Sequence, residues 1–209
     1  MPDLNLLILS DFFRGSYKVV GELYHKMLSP ILETEHHPTP RSSEERKELS
    51  IRFSGFIVLH NTLGEGFVPI KNCYNIAMPF HEWSEYPTNW IGLLDKFAEV
   101  WTTTNHVQDL LLRGGLSVPV HKLPPALDSE NISVKESYEK KDIHRFFFVG
   151  EPHFRKGHHL LMNGYMKAFP IANEALLTIK TSPSCEWESP RKDIILVKEH
   201  WDRKHLIDC

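Results

Sequence analysis

Short apolar runs alternate along the chain with stretches whose apolar residues recur every three or four positions. Leu4 to Leu9, Phe56 to Leu59, Cys73 to Met78, Glu99 to Thr102 and Val118 to Leu123 have the length and bounding residues of strands. Phe146 to Val149, Leu176 to Lys180 and Ile194 to Val197 add three more. Between them lie helical faces: Tyr17, Val20, Leu23, Tyr24, Met27 and Leu28, stopped by Pro30; Trp90, Leu93, Leu94 and Phe97; then Val107 and Leu110 to Leu112, capped by Asn105 and ended by Gly114-Gly115. A further face runs through Leu160, Leu161, Tyr165, Met166 and Phe169, and Trp201 to Ile207 begins another. Strands alternating with helices predict an α/β fold with parallel sheets. The uninterrupted run Phe146 to Val149 predicts a strand buried on both faces, in the centre of its sheet.

Two stretches break the rhythm. Residues 33–50 are polar and proline-containing, then charged, and predict a surface loop running into a short exposed helix. Residues 128–142 turn polar and charged, a shift of the kind found between domains. The expected organisation is a Rossmann-like domain over 1–128, a linker over 129–142 and a second Rossmann-like domain over 143–209. The second holds three strands, one full helix and part of another, about half of a typical ~100–150-residue domain. It is therefore expected to be incomplete. Its exposed sheet edge and helix face predict self-association, or a partner chain that completes the fold.

Composition narrows the function. The net charge is −3 and the 24 basic residues are scattered, so no basic tract points to nucleic acid. Thirteen histidines are many, but His36-His37 and His158-His159 lack the spaced partners of a zinc site, so no metal is expected. Cys73, Cys185 and Cys209 lie far apart and fit free thiols in a reducing cytoplasm. No apolar run reaches the ~20 residues of a membrane span, and the N-terminus has no basic leader. Gly-x-Gly-x-x-Gly is absent, which argues against a nicotinamide or flavin enzyme.

Candidate chemistry gathers at three loops. Arg155, Lys156 and Gly157 sit between a strand and a helix start, where unpartnered N–H groups and the helix dipole favour an anion such as phosphate or diphosphate. The same residues also suit a solvated basic turn. Arg14, Gly15 and Ser16 follow the first strand, and Gly15 either lets a ligand approach the backbone or only permits a turn. His81, Glu82, Trp83 and Glu85 crowd the loop after the third apolar run, where such folds bind ligands. In the other reading, Trp83 and Tyr86 merely cover an edge of the core.

Three segments resemble one family. Phe147-Phe-Val-Gly-Glu-Pro-His-Phe-Arg-Lys-Gly-His-His-Leu-Leu161 is similar to its strand–"RKG"–helix element. Glu99-Val-Trp-Thr-Thr-Thr-Asn-His-Val-Gln-Asp-Leu-Leu-Leu-Arg-Gly-Gly115 resembles its "EVW" segment, and Val118-Pro-Val-His-Lys-Leu-Pro-Pro-Ala-Leu-Asp128 its "VPV" run. The family is the large "group 1" of retaining, nucleotide-sugar-dependent glycosyltransferases, built from two facing Rossmann-like domains (the GT-B architecture). The resemblance implies transfer of a sugar from a nucleotide diphosphate sugar, bound between the domains, to a glycan or small-molecule acceptor held mainly by the first. Lys156 falls on the lysine that contacts the donor diphosphate, with Arg155 a second candidate. Gly15 falls on the glycine of the first loop, near donor phosphate and acceptor. His81 and Glu82 lie where members place a polar residue against the transferred sugar. No Asp-x-Asp is present, in keeping with a family that generally needs neither metal nor another cofactor.

The departures are specific. Glu151 stands where many members carry an arginine. The family's Glu-x7-Glu, which holds the donor ribose and sugar, would lie beyond Cys209. The chain is thus expected to be a transferase cut short within its second domain, or to be completed by a partner. Otherwise it is a non-catalytic relative that binds a glycan or another protein. An unrelated Rossmann-like binder of some phosphorylated ligand is the third possibility.

Overall fold

The computed structural model describes residues 4–13, 15–125, 127, 142–151 and 153–200. Arg14, Pro152, Cys209, the linker up to residue 141 and the helix expected over Trp201 to Ile207 lie outside them. The chain divides into two compact units, Met1–Asp128 and Ser129–Cys209.

Unit 1 is an α/β layer structure of Rossmann-like character. Its strands are β1 (Asn5–Ser10), β2 (Glu33–Pro38), β3 (Ile57–Asn61), β4 (Tyr74–Ala77), β5 (Glu99–Thr102) and β6 (Val120–Lys122). They form one parallel sheet in the order β2-β1-β3-β4-β5-β6. Helices α1 (Gly15–Leu28), α2 (Ser43–Arg52), α3 (Thr88–Leu94) and α4 (Asn105–Arg113) join the strands.

Strand β1 shows why the fold forms. Its alternate residues supply two cores: Leu6 and Ile8 pack with Tyr24 of α1, while Leu7 and Leu9 pack with Phe53 at the end of α2. Both faces are therefore covered, as in a central parallel strand. Burial of each such leucine or isoleucine stabilises the fold by roughly 1.5–3 kcal/mol. A third core joins α3 and α4 to the sheet through Ile91, Leu94, Val107, Leu110 and Leu111, against Ala77 and Val100. The cap of α4 is Thr104 rather than Asn105, its hydroxyl accepting the Val107 N–H at 3.2 Å.

Residues 33–38 are not a loop. They form β2, an edge strand paired in full register with β1. Glu-Thr-Glu-His-His-Pro carries no apolar alternation because all six positions are exposed or only half-buried. Ladder hydrogen bonds hold it, helped by the half-buried His36 and His37 rings against Phe12 and Phe53.

Unit 2 contains β7 (His144–Val149), β8 (Ala175–Thr181), β9 (Ile194–Lys198) and α5 (His158–Ala168). The sheet is parallel, ordered β7-β8-β9. Its core sets Leu177, Ile179 and Ile194 under Tyr165 and Leu161 of α5. Strand β7 is not central. Among the described residues it pairs only with β8, leaving Phe146, Phe147 and Val149 exposed by 43%, 45% and 48%. An apolar run alone does not distinguish a central strand from an edge strand of this kind. No helix among the described residues is long and apolar enough to cross a membrane.

Candidate functional site

The strand order of unit 1 reverses at β1. The chain passes to β2 on one side, then crosses to β3 on the other. Loops leaving the carboxyl ends of the flanking strands diverge there and open a crevice, where open α/β sheets bind ligands. Asn61, at the end of β3, holds this point together. It donates from Nδ2 to Ser10 Oγ at 3.3 Å and to the Tyr17 carbonyl at 2.6 Å. The Asp11 N–H donates to the Asn61 carbonyl, and the Thr39 N–H to that of Ser10. The first loop turns tightly as Asp11 Oδ1 accepts the Phe13 N–H at 3.1 Å.

Two cavities open along this rim. One of about 290 Å³ lies over the ends of β1, β2 and β3, lined by Asp11, Phe13, Arg41, Arg46, Thr62 and Glu65 among others. The other, about 250 Å³, is bounded by Ser16, Tyr17, Val20, Phe80 and Glu82. Edge-on packing of Tyr17 against Phe80, 5.6 Å between centroids, brings the first turn of α1 beside the loop after β4. Glu82 and Ser16 thus line the same cavity.

Gly15 begins α1, has no left-handed backbone angle, and faces open space where a Cβ would sit. The turn does not require glycine there. Gly21 contrasts with it: a Cβ at that position would lie 2.1 Å from Ser10 Oγ, so helix and sheet meet only because it is absent.

His81 faces away from the Glu82 cavity. Its ring is buried among Trp83, Tyr86 and Trp90, and Nε2–H donates to the Glu85 carbonyl. A carbonyl only accepts, so Nδ1 is left as an acceptor, buried without a partner among the described residues. The imidazole therefore braces its own loop. Burial also pushes the Tyr86 phenol well above its ordinary range. His60 is buried too, bonded through Nε2 to Asn75 Oδ1 at 2.9 Å. Desolvation lowers its pKa to about 4, which keeps it neutral.

In unit 2 the chain leaves β7 at Val149 and makes a 3-10 turn over Phe154–Lys156. It passes Gly157 in the left-handed region (φ 72°) and enters α5 at His158. Arg155 and Lys156 are exposed on this turn. Among the described residues no side chain caps the N-terminus of α5. The His158 ring lies against Trp187, where burial lowers its pKa. Phe154 stacks on His159 with 4.1 Å between centroids.

The expected residues thus divide between units. Gly15 and Glu82 flank one rim of unit 1, His81 supports that rim from behind, and Arg155 and Lys156 lie on a turn of unit 2. Arg41 and Arg46 were missed because residues 33–50 carry no strand signal; Thr62 follows a strand the sequence did show, but a lone threonine in a turn carries no signal of its own. A strand ending at Pro38 would have placed Arg41 at the sheet rim. Among the described residues no group of three or more His, Cys, Asp or Glu side chains is arranged to hold a metal ion.

Set against models of known protein families the chain matches none, and no curated protein matches it in sequence.

Proposed function

We propose that the chain is a glycosyltransferase-type protein that receives the diphosphate of a nucleotide sugar on the 150–158 corner of unit 2 and an acceptor on the rim of unit 1. The observation that carries this reading is the corner itself. Two exposed cations precede a left-handed glycine and an uncapped helix start at the carboxyl end of a parallel strand. Free N–H groups, the helix dipole and the Lys156 ammonium together favour a phosphate there. A cation so placed offsets charge that develops on a departing diphosphate. The likeness of three segments to retaining group 1 transferases supports the reading independently of geometry. On the rim, Glu82 is the residue for sugar hydroxyls and Gly15 leaves room for a close approach. The chemistry needs no metal or other cofactor in this reading. A cytoplasmic location belongs to the same proposal, resting on Cys73 and Cys185, both free thiols.

Calorimetric titration with UDP- and GDP-sugars tests it, comparing the unaltered chain with Lys156→Ala. Binding to the unaltered chain and a loss of about tenfold in the variant are expected. Equal heats in the two remove Lys156 from the site, and no heat with any nucleotide sugar removes the donor.

The half-exposed β7 favours a second reading, a binding module without transfer activity that pairs this edge with a partner chain. Light scattering at high concentration addresses it, and a stable monomer would count against it.

A further inference from the structure

We propose that the 290 Å³ cavity of unit 1 binds a small anionic carbohydrate, with Arg41 and Arg46 gripping its acid group. Arg41 and Arg46 both line the cavity, and neither makes an ion pair with a carboxylate among the described residues. Arg46 is half-buried, so its charge is not simply dispersed in water. Arg41 is held in place: its guanidinium lies 3.6 Å from the centroid of the Phe13 ring, and its main-chain N–H donates to Glu45 Oε2 at 2.6 Å. Stacking of this kind fixes the planar fork that suits carboxylate and phosphate.

The start of α2 is not the source of attraction. Ser42 and Glu45 already close it in a reciprocal capping box. What remains to hold an anion is the arginine pair.

The rest of the lining limits the ligand. Asp11 and Glu65 add carboxylates, which accept hydrogen bonds from hydroxyls and repel a second acid group. Thr62 lines the cavity as well and is almost fully buried. Two arginines, two acidic residues and a threonine in the lining fit a polyol with one acidic substituent. The volume, about 290 Å³, lies at the lower limit of ~300–1,000 Å³ for small-molecule sites, which suits one sugar ring better than a nucleotide diphosphate sugar. The acid group is a phosphate ester or a carboxylate, both of which the fork accepts. This assignment names the ligand of unit 1 and needs nothing from Lys156, so it and the donor reading fail separately.

The test is calorimetry on the full chain with three probes: glucose 6-phosphate, glucuronate and glucose. At least one acidic sugar is expected to bind and glucose is not; whichever acid binds tells phosphate from carboxylate. Arg41→Gln and Arg46→Gln should each weaken binding about tenfold or more. Arg52→Gln, on α2 with Arg46 but paired with Glu35, should leave it unchanged. Circular dichroism confirms that each variant is folded. The proposal is overturned if neither acid binds, if glucose binds equally well, or if both arginine variants bind as tightly as the unaltered chain. Loss of binding in Lys156→Ala would move the anion to unit 2 and overturn it equally.

Discussion

The side-chain amide of Asn61 donates to the main-chain carbonyl of Tyr17 at 2.6 Å, joining the end of β3 to the first turn of α1 across 44 positions of sequence. Asn61 is fully buried and Tyr17 half-buried, so this bond is partly shielded from water. Asn61→Ala should cost about 1–2 kcal/mol, the range for a buried hydrogen bond with a lost partner. Urea denaturation measures the cost. Hydrogen exchange should quicken first at the amides of α1 nearest Tyr17, and uniform quickening across unit 1 would contradict this role.

Two glycines of α1 should respond in opposite ways. Gly21→Ala places a methyl 2.1 Å from Ser10 Oγ and 2.5 Å from His36 Nε2, so overpacking should destabilise by about 1–3 kcal/mol. Gly15→Ala meets no atom within 4 Å and should stabilise by roughly 0.4–1 kcal/mol through the unfolded chain. Thermal melting of both variants reads the contrast. If Gly15 admits a ligand, its methyl should weaken binding while raising the melting temperature.

His60 should make stability depend on pH. Its folded pKa, about 4, lies below the ordinary 6.5 because burial disfavours the imidazolium. Between those values the unfolded chain holds the extra proton. Stability is therefore complete above about pH 6.5 and falls by up to roughly 1.4 kcal/mol per pH unit toward pH 4. His36, also lowered by burial, acts in the same direction. His60→Gln should flatten the slope of denaturation free energy against pH by about one proton. An unchanged slope would exclude His60 as its source.

In unit 2 the opposite charge type governs acid sensitivity. Asp193 accepts two bonds from the Arg191 guanidinium, at 2.6 and 2.9 Å, and others from the Tyr165 hydroxyl and the Asn173 N–H. The Arg191 bonds are the main cause that brings its pKa down to about 2. This stabilisation is present above an ordinary carboxyl pKa near 4 and is lost as pH falls through about 2. Asp193→Asn should lower the melting temperature at neutral pH and remove that acid transition. Exchange of the Leu177 amide, which donates to the Asp193 carbonyl, reports it locally.

Much of the fold was legible because buried strands and amphipathic helices differ in period. Leu6 to Leu9, packed on both faces, could be placed from sequence, as could the apolar faces of α1 and α4 apart from Met27 and Leu112, which are exposed. Strand β2 could not, since Glu33 to Pro38 carries no apolar side chain apart from its terminal proline and only half-buries its central residues. Phe146 to Val149 misled in the other direction: a dense apolar run predicted a central strand, whereas β7 is paired on one side only among the described residues. The site followed the same division. Arg155 and Lys156 announced themselves by lying between two strong signals. Arg41 and Arg46 follow a strand with no signal, and reach the rim only because β2 lies beside β1. His81 and Glu82 are neighbours in sequence with opposite surroundings, a difference that only the packing of Trp83, Tyr86 and Trp90 decides.

The common direction of the six strands in unit 1 has one more outcome. Every segment that reaches the crevice departs from the same end of the sheet, while the packing that sets register lies behind it. Selectivity is thus a property of interchangeable tips on an unchanging frame. Replacing Arg41 or Glu82 should redirect what is recognised without re-pairing a single strand.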